Sequence, residues 1–384
     1  MALNYAILQF NNLAYDHYMN KLKHMLVLGG SGLVGYNVAK YFSNKVDWKV
    51  TTASRRTPEN LINARTISVD LSNETSCSNV FSQLQDVSHI VYAAYFEKAG
   101  TKGWNEPEQM EINKKMFQNV IAPMLKVNKC LQHITLIQGT KAYGDPLSVI
   151  PIPAKEKSPR ATHDIFYWLQ EDWLKSQQIG KSWSWTILRP QIIFGESLGS
   201  HMNIIPAIGA YAAILKSEKK PLYFPGGPSW VREAVDAELL AKACEWAGSS
   251  PSCVNETFNI TNGDVFEWRN IWPSIADALG MLPGPDKPLS LNYEMSNYQE
   301  KWRRVVRFNN LSSPEDLESF VGQGFAYADR QFCYGMAEAP PVRLVSTIKA
   351  REAGFNDCID TELMFRKCFK NYQDLNWIPK KNVP

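Results

Sequence analysis

The stretch LVLGGSGLVG, residues 26–35, constrains the fold of this chain more than any other part of the sequence. It follows a short apolar run and leads into a segment whose apolar residues recur at helical spacing. Its glycines fit two related patterns, GxGxxG from Gly30 and GxxGxxG from Gly29, which share Gly32 and Gly35. Such glycines permit a tight turn and a close approach of the backbone to a pyrophosphate. The stretch therefore predicts a dinucleotide-binding strand–turn–helix unit; a glycine-rich turn without a ligand is the alternative interpretation.

Strand-like and helix-like segments alternate along the first half of the chain. The strand-like segments are HMLVLGG, WKVTTAS, TISVDL, HIVYAAY, HITLIQG and SWSWTILRP. A later segment, ETFNIT, adds one more strand-like run. Alternation of this kind predicts an α/β protein with a Rossmann-type, doubly wound parallel sheet of about seven strands.

The residues after the second strand indicate which nicotinamide cofactor is bound. An NAD site places Asp or Glu there for the ribose 2′-hydroxyl, whereas this chain reads TTASRRTPE, with Arg55 and Arg56. Paired guanidinium groups suit a 2′-phosphate, so NADPH (NADP+) is the predicted cofactor; a solvated basic turn is the alternative. Asp70, after the third strand, is a candidate partner for the adenine amino group. Besides the glycines, further cofactor contacts are expected from Ser31, Leu33, Val34, Ser54, Leu71, Ala93, Gly139, Pro190, Ile192 and Ile193.

The alternation of strand-like and helix-like segments ends near residue 196, after which proline and glycine become frequent and helical segments dominate. We therefore expect residues 24–198 to form an NADP-binding Rossmann domain, to which a late strand and helix from about 230–262 return. Residues 199–384 are expected to form mainly a smaller, helical, substrate-binding lobe. Residues 1–23 are interpreted as an N-terminal extension, because they lack the basic segment and the small-residue cleavage site of a signal peptide.

Composition and charge argue against other classes of partner. The 384 residues carry 41 basic and 38 acidic side chains, a balance that gives no electrostatic reason to expect a nucleic acid or a membrane as partner. The longest apolar stretch, residues 204–215, is too short to span a bilayer. Seven cysteines without a CxxC pair suggest free thiols in a reducing compartment, and the scattered histidines give no metal site. We expect a cytoplasmic protein that acts on a small molecule, with a homodimer left open.

Tyr167, in the segment HDIFYWLQEDW, is placed for chemistry but has the wrong neighbour for a standard short-chain dehydrogenase. In those enzymes a lysine follows the catalytic tyrosine one helical turn later, whereas here Glu171 stands at that spacing. Lys141, in LIQGTKAYGDP, follows the fifth strand, and ligands of open α/β sheets bind beyond the carboxyl ends of strands. A lysine from this loop could therefore meet the tyrosine of the next helix. A core tyrosine and a surface lysine are the alternatives.

Two Tyr-x-x-x-Lys matches, Tyr36–Lys40 and Tyr41–Lys45, do occur in the sequence. Both fall in the helix that follows the glycine loop. In this kind of fold that helix packs behind the pyrophosphate, far from the nicotinamide ring. We therefore interpret both matches as structural.

These motifs resemble those of the progesterone 5β-reductase/iridoid synthase family, an atypical branch of the extended short-chain dehydrogenases. The resemblance rests on GGSGLVG, WKVTTASRR, EINKKMFQNV, QGTKAYG, FYWLQED, SWTILRPQIIFG, FPGG and FNITNGDVFEWRNIW, and runs from about residue 24 to about residue 380. It implies that Lys141 and Tyr167 are the catalytic residues.

The motifs of this chain differ from those of plant members of that family at several positions. We therefore expect a microbial member. Ala142, the GDP run of residues 144–146 and Ile165 replace residues typical of the plant enzymes. These departures leave the identity of the substrate open. The residues expected to contact it are Tyr95, which stands where a tryptophan often lines the pocket, together with Tyr143 and Met202.

The resemblance implies an NADPH-dependent reductase of the C=C bond of α,β-unsaturated carbonyl compounds, with an apolar terpenoid, steroid or polyketide as substrate. Hydride is expected at the β-carbon, and the Tyr167 hydroxyl is expected to hydrogen-bond the carbonyl oxygen. Lys141 would be the nearby cation that favours the developing enolate charge. Two alternatives remain: an extended short-chain dehydrogenase that acts directly on a carbonyl or alcohol, and a non-redox isomerase or cyclase that uses the same site.

Overall fold

The computed structural model describes residues 22–58, 60–97, 106–144, 149–160, 163–200 and 202–381. Residues 1–21 of the expected N-terminal extension lie outside these ranges, and Lys23 already begins the first strand. No helix within the described ranges is long and apolar enough to cross a membrane.

The strand-like segments of the sequence form a parallel sheet. The strands are β1 Lys23–Leu28, β2 Trp48–Ser54, β3 Ala64–Ser68, β4 His89–Tyr92, β5 His133–Ile137, β6 Ser184–Pro190, β7 Ile192–Phe194, β8 Leu222–Phe224, β9 Ala234–Asp236, β10 Glu256–Ile260 and β11 Pro283–Asp286. Seven of them form one sheet in the order β10-β6-β5-β4-β1-β2-β3. Every neighbouring pair in it is parallel. The predicted Rossmann-type, doubly wound parallel sheet is therefore confirmed.

Helices connect the strands and make up most of the C-terminal part. They are α1 Leu33–Ser43, α2 Glu74–Phe81, α3 Pro107–Val127, α4 Phe166–Gln178, α5 Ile205–Ser217, α6 Ala237–Ser249, α7 Trp268–Ala278, α8 Leu291–Ser296, α9 Gln299–Phe308, α10 Leu317–Val321, α11 Gly324–Gln331, α12 Ile348–Glu352 and α13 Thr361–Asp374, with 3₁₀-helices at Thr140–Tyr143 and Pro251–Cys253. Several helices begin at an N-cap residue whose side chain accepts hydrogen bonds from backbone N–H groups of the first turn. These N-caps are Asn73, Asp236, Ser290, Asp316 and Asp360.

Helices cover both faces of the sheet. On one face, Phe81 of α2 and Phe117 and Ile121 of α3 pack against the strands. On the other face, Phe42 of α1 and Leu240 of α6 do the same. Apart from the edge strand β3, whose residues are half-buried or exposed, the strands of this sheet are mostly buried, which is why they appear in the sequence as apolar runs rather than as alternating patterns.

The chain after β7 forms a mainly helical lobe with its own core, in which Trp302, Phe365 and Tyr372 are fully buried. Between the elements of this lobe, α6 and β10 return to the large sheet, where β10 pairs with β6. The short strand pairs β7 with β9 and β8 with β11 are not predicted by the sequence, because runs this short show no readable period.

Candidate active site

The glycine loop lies between β1 and α1 and is shaped for a close approach by a phosphate group. Gly29 has a left-handed φ of +87°, and a Cβ added there would lie 3.0 Å from the Ala93 carbonyl carbon. A Cβ on Gly30 would overlap the Thr52 hydroxyl, and one on Gly35 would overlap the Gly29 carbonyl oxygen. The loop leads into the N-terminus of α1, whose N–H groups favour an anion. The glycine loop therefore fits the pyrophosphate of a dinucleotide.

The other residues expected to contact the cofactor near this loop differ in what they can offer. Ser31 and Val34 are half-buried, whereas Leu33 is buried in the first turn of α1. Ala93 directly follows β4 and presents its backbone to the loop. The Leu71 side chain belongs to the core of the sheet, so only the backbone of Leu71 could contact a cofactor.

An open cleft of about 560 Å³ lies between the end of β3 and α2. It is lined by Arg55, Ser68, Val69, Asp70, Ser76, Asn79 and Val80. The Asp70 Oδ1 atom accepts hydrogen bonds from the backbone N–H and the hydroxyl of Ser72 at 2.9 Å and 2.8 Å. The backbone bond above all holds the pKa of Asp70 below its ordinary value, so the carboxylate is ionised. The cleft thus offers a carboxylate and a guanidinium side by side, a combination that suits an adenine amino group and a phosphate.

Arg55 and Arg56 do not reach the same place. Arg55 lines the cleft, whereas a Cβ added to Gly199 would lie 3.2 Å from Nη1 of Arg56. Ser54 at the end of β2 donates its hydroxyl to the Arg56 carbonyl at 2.6 Å, which fixes this turn. The two guanidinium groups expected to act as a pair are therefore divided between the cleft and the loop at Gly199.

Tyr167 lies in the first turn of α4 and is buried, with 7% of its surface exposed. A Cβ added to Gly139 would lie 3.4 Å from the Tyr167 hydroxyl oxygen and 3.6 Å from the Pro190 carbonyl oxygen. The hydroxyl therefore lies at the carboxyl ends of β5 and β6, where ligands of open α/β sheets bind. Burial raises the pKa of Tyr167, and the charge of Arg189 opposes this shift. The phenol is protonated near neutral pH and can donate a hydrogen bond.

Lys141 lies on the 3₁₀-helix Thr140–Tyr143, which begins directly after Gly139, and is half-buried. This short helix and the first turn of α4 meet where Gly139 faces the Tyr167 hydroxyl. The structure thus brings the Lys141 segment and Tyr167 to the same strand end, although they are far apart in the sequence.

Glu171, one helical turn after Tyr167, is buried with 3% of its surface exposed. Its Oε2 accepts hydrogen bonds from Arg189 at 3.3 Å and Gln138 at 3.2 Å, and its Oε1 accepts one from Lys175 at 2.6 Å. Burial by itself would raise the pKa of Glu171, but the Lys175 hydrogen bond and the Arg189 charge hold it below its ordinary value. An ionised structural carboxylate therefore stands where standard short-chain dehydrogenases have their lysine.

Three tyrosines lie close enough together to interact electrostatically. The Tyr95 hydroxyl, after β4, donates to Glu97 Oε2 at 3.3 Å. Burial raises the pKa of Tyr95, and Glu97 and the phenols of Tyr167 and Tyr327 raise it further. Tyr327, on α11 of the lobe, is missed by the sequence analysis, because its helix carries no motif and is remote in the chain. Tyr95 and Met110 pack against the buried cluster that contains Tyr167, and Tyr327 interacts with Tyr95.

Tyr143 and Met202, which were also expected to contact the substrate, lie in different surroundings. Tyr143 is buried, and its hydroxyl donates to Asn259 Oδ1 at 2.7 Å. The guanidinium carbon of Arg189 lies 5.2 Å from the centroid of its ring. These contacts give Tyr143 a structural role between the 3₁₀-helix and β10. Met202, in the turn before α5, is half-buried, and for both residues a contact with substrate stays a prediction.

Pro190, Ile192 and Ile193 form the junction between β6 and β7. Pro190 ends β6, and Ile192 and Ile193 pair with β9 while remaining half-buried. The Pro190 carbonyl faces Gly139, so this junction lies at the same strand end as Tyr167. It can therefore border the nicotinamide end of a cofactor whose pyrophosphate lies at the glycine loop.

The two Tyr-x-x-x-Lys matches have structural partners. Lys40 pairs with Glu196 at 2.6 Å, and the Tyr41 hydroxyl and Lys45 both bind Glu245, at 2.6 Å and 2.8 Å. These contacts tie α1 to α6 and to the loop after β7. Within the ranges that the structure describes, no group of three His, Cys, Asp or Glu side chains is placed to hold a metal ion.

Comparisons with known proteins agree with this geometry. The family described as "PRISE-like Rossmann-fold domain" matches residues 60–328. The chain is 30% identical to (S)-8-oxocitronellyl enol synthase of Catharanthus roseus over 376 residues, which cover 92% of each chain. It is 33% identical to 3-oxo-Delta(4,5)-steroid 5-beta-reductase of Arabidopsis thaliana over 307 residues, which cover 74% of this chain and 77% of that one.

The fold is also found among solved structures. UDP-glucose 4-epimerase from Bifidobacterium longum, in complex with NAD+ and UDP, superposes with a TM-score of 0.63 and 16% identity. The superposition covers 94% of this chain and 100% of that chain. At this identity the likeness shows the fold alone.

Proposed function

Since the chain belongs to the PRISE-like Rossmann-fold family, and is thus an oxidoreductase of the extended short-chain dehydrogenase type, we propose that it is an NADPH-dependent reductase of the C=C bond of α,β-unsaturated carbonyl compounds. The observation that carries this proposal is the buried, protonated Tyr167 hydroxyl beside Gly139 at the strand ends. A reductase of a 3-oxo-Δ4,5-steroid among the relatives supports it.

The residues that would hold NADPH follow the edge of the sheet from the glycine loop to the β6–β7 junction. The loop of residues 29–35 would bind the pyrophosphate, Asp70 the adenine amino group and Arg55 the 2′-phosphate. Pro190 and the backbone of residues 192–193 would border the nicotinamide. When bound, NADPH supplies the hydride that reaches the β-carbon of the unsaturated carbonyl compound.

Tyr167 would donate a hydrogen bond to the carbonyl oxygen of the substrate. That oxygen gains negative charge as the enolate forms, so a donor already in place stabilises the transition state more than the ground state. Lys141, on the 3₁₀-helix that follows Gly139, would supply a cation that favours this charge. Tyr167 and Lys141 are thus the proposed catalytic residues.

The surroundings of Tyr167 favour an apolar substrate that carries one carbonyl group. Ala142, Ile165 and Phe166 form a buried apolar cluster with Tyr167, and Tyr95 and Met110 pack against it. Such a cluster suits a terpenoid, a steroid or a polyketide, and the two plant relatives bear the names of terpenoid and steroid enzymes.

The test measures NADPH absorbance while the purified protein is incubated with a panel of enones and enals, and separately with the matching saturated ketones. We expect NADPH consumption with the unsaturated compounds, and a loss of about a hundred- to a thousandfold in kcat for Tyr167→Phe. Tyr41→Phe is the matched control, because it removes a hydroxyl that binds Glu245 on another face of the sheet; its activity should be that of the native protein.

The other outcomes contradict the proposal in distinguishable ways. NADPH consumption with the saturated ketones would identify a carbonyl reductase. Conversion of an enone or enal to an isomer or a cyclised product, without NADPH consumption, would identify an isomerase or cyclase. Equal activity of Tyr167→Phe and Tyr41→Phe would remove Tyr167 from the chemistry.

A further inference from the structure

A buried ion pair lies near the carboxyl ends of β5 and β6, where the Tyr167 hydroxyl lies. Nη2 of Arg189 lies 3.3 Å from Oε2 of Glu171, and the two residues are 5% and 3% exposed. Removing two charges from water costs more than their attraction returns unless further hydrogen bonds satisfy them. The other hydrogen-bond partners of Arg189 and Glu171 therefore indicate the role of this ion pair.

Gln138 closes the ion pair into a ring. Its Oε1 accepts a hydrogen bond from Nε of Arg189 at 2.9 Å, and its Nε2 donates to Oε2 of Glu171 at 3.2 Å. The same Nε2 lies 3.3 Å from the backbone carbonyl of Tyr167, to which it also donates. The ring thus joins β6, α4 and the end of β5 through side chains.

Each member of the ring adjoins a residue of the candidate site. Gln138 precedes Gly139, Arg189 precedes Pro190, and Glu171 lies one helical turn after Tyr167. The Tyr167 hydroxyl, Gly139 and the Pro190 carbonyl are the groups that meet at the strand end. Any shift in the ring would therefore move all of these groups relative to one another.

The Arg189 guanidinium is also fixed by aromatic rings. Its central carbon lies 5.2 Å from the ring centroid of Tyr143 and 5.5 Å from that of Trp168. The planar guanidinium suits such packing better than an ammonium group would. By contrast, the other oxygen of Glu171, Oε1, binds the half-exposed side chains of Lys175 and Arg160.

Arg189 acts on the Tyr167 phenol electrostatically. Burial raises the pKa of Tyr167, and the Arg189 charge opposes that rise. Tyr95, after β4, also interacts with this phenol, and Lys141 lies on the 3₁₀-helix that begins directly after Gly139. Of these elements, β6 supplies a cation that the sequence analysis had not assigned to the site.

We propose that Arg189 is a positioning residue for Tyr167, held by Glu171 and Gln138, and that it supplies from the adjacent strand a buried positive charge behind the phenol. Glu171 then stands at the helical position of the standard lysine because it anchors this arginine. The consequence for catalysis rests on the function proposed above, whereas the placement of charge does not.

The first test replaces Tyr167 by a trifluorinated tyrosine, whose more acidic phenol can be titrated while the protein is folded. Arg189→Gln keeps hydrogen-bonding capacity but removes the charge, and it should raise the pKa of this phenol by about one unit. Lys175→Gln is the matched control, since Lys175 binds the same carboxylate from the solvent side, and it should leave the titration unchanged. Should Arg189→Gln fail to fold, Arg189→Gln/Glu171→Gln removes both buried charges; it should shift the pKa in the same direction but by less, because the lost carboxylate had opposed the arginine.

Equal titrations in the native, Arg189→Gln and Lys175→Gln backgrounds, or equal shifts in both variants, would overturn the proposal. Activity gives a second readout on unlabelled protein: kcat with an enone should fall about tenfold in Arg189→Gln with KM almost unchanged. If the protein reduces no enone while the titration shifts as expected, the proposed function fails and the role of Arg189 stands.

Discussion

The two ends of the candidate site are built in different ways. At the glycine loop, backbone atoms determine the shape, because added Cβ atoms on Gly29 and Gly35 would meet the backbone of Ala93 and of Gly29 itself. At the Tyr167 end, side chains remote in sequence determine it, as in the bond between Arg189 and Gln138, 51 positions apart. The first end should therefore not tolerate an added Cβ at Gly29 or Gly35, whereas the second should depend on charge and on open space.

Gly35→Ala should have the largest effect on NADPH binding and on stability. Its Cβ would overlap the Gly29 carbonyl oxygen, which belongs to the backbone and cannot turn away. We expect NADPH affinity to fall by at least about a hundredfold and the free energy of unfolding by about 3 kcal/mol. Calorimetric titration and denaturant unfolding measure the two quantities. Gly32→Ala is the control, since its Cβ would lie 3.3 Å from the same oxygen and should cost less. Equal losses would mean that the loop is not as tight as its backbone contacts indicate.

Gly139→Val should damage the chemistry while leaving the fold intact. The φ of Gly139 is −179°, an extended conformation that valine adopts easily, but the added side chain would fill the space before the Tyr167 hydroxyl. We expect kcat with an enone to fall about thirtyfold, and the free energy of unfolding to change by less than about 1 kcal/mol. Gly139→Ala, whose Cβ makes an ordinary contact, should lose less. Full activity in the valine variant would show that the substrate carbonyl does not approach along this path.

The contrast between the two ends also explains what the sequence could predict. The glycine loop and the strands of the large sheet depend on local spacing and apolar runs, which are visible in a single chain. The position of Lys141 after the fifth strand allowed it to meet Tyr167, but the family resemblance was needed to favour this pairing over a surface lysine and a core tyrosine. Gln138, Arg189 and Tyr327 were not predicted, because their neighbours are set by how β5, β6, α4 and α11 pack, and no local pattern records that packing.

Arg55→Gln tests whether charge also matters at the glycine-loop end. Arg55 lines the cleft with Asp70, so its loss should lower kcat/KM for NADPH about tenfold and leave that for NADH nearly unchanged. Arg56→Gln should have a smaller effect, since Arg56 reaches the loop at Gly199 instead. Steady-state kinetics with both cofactors give these values. If both variants lose NADPH preference equally, the two guanidinium groups act together despite their separation.

Glu233 offers the smallest test, and it concerns the end built from side chains. It is 7% exposed, and its Oε2 accepts hydrogen bonds from the Gln191 side chain at 3.1 Å and the Val345 backbone at 2.8 Å. Burial raises its pKa from 4.5 to about 7, although both hydrogen bonds oppose the shift. A carboxyl whose pKa is raised by folding stabilises the protein below its unfolded pKa, and this contribution is lost as the pH rises through the folded pKa.

Glu233→Gln should remove this dependence, because glutamine keeps an acceptor for Val345 but does not titrate. Between pH 6 and pH 8 the native protein should lose about 1 kcal/mol of unfolding free energy relative to the variant. Denaturant unfolding at several pH values measures the difference. The buried His89 and His133, whose pKa values burial lowers to about 4 and about 3, contribute equally to both proteins and therefore cancel in this comparison. The exposed Glu352→Gln should leave the native pH dependence intact. If Glu233→Gln and the native protein show parallel curves, the junction behind Gln191 carries no titrating group in this range, and the side-chain end of the site is less sensitive to charge than its contacts imply.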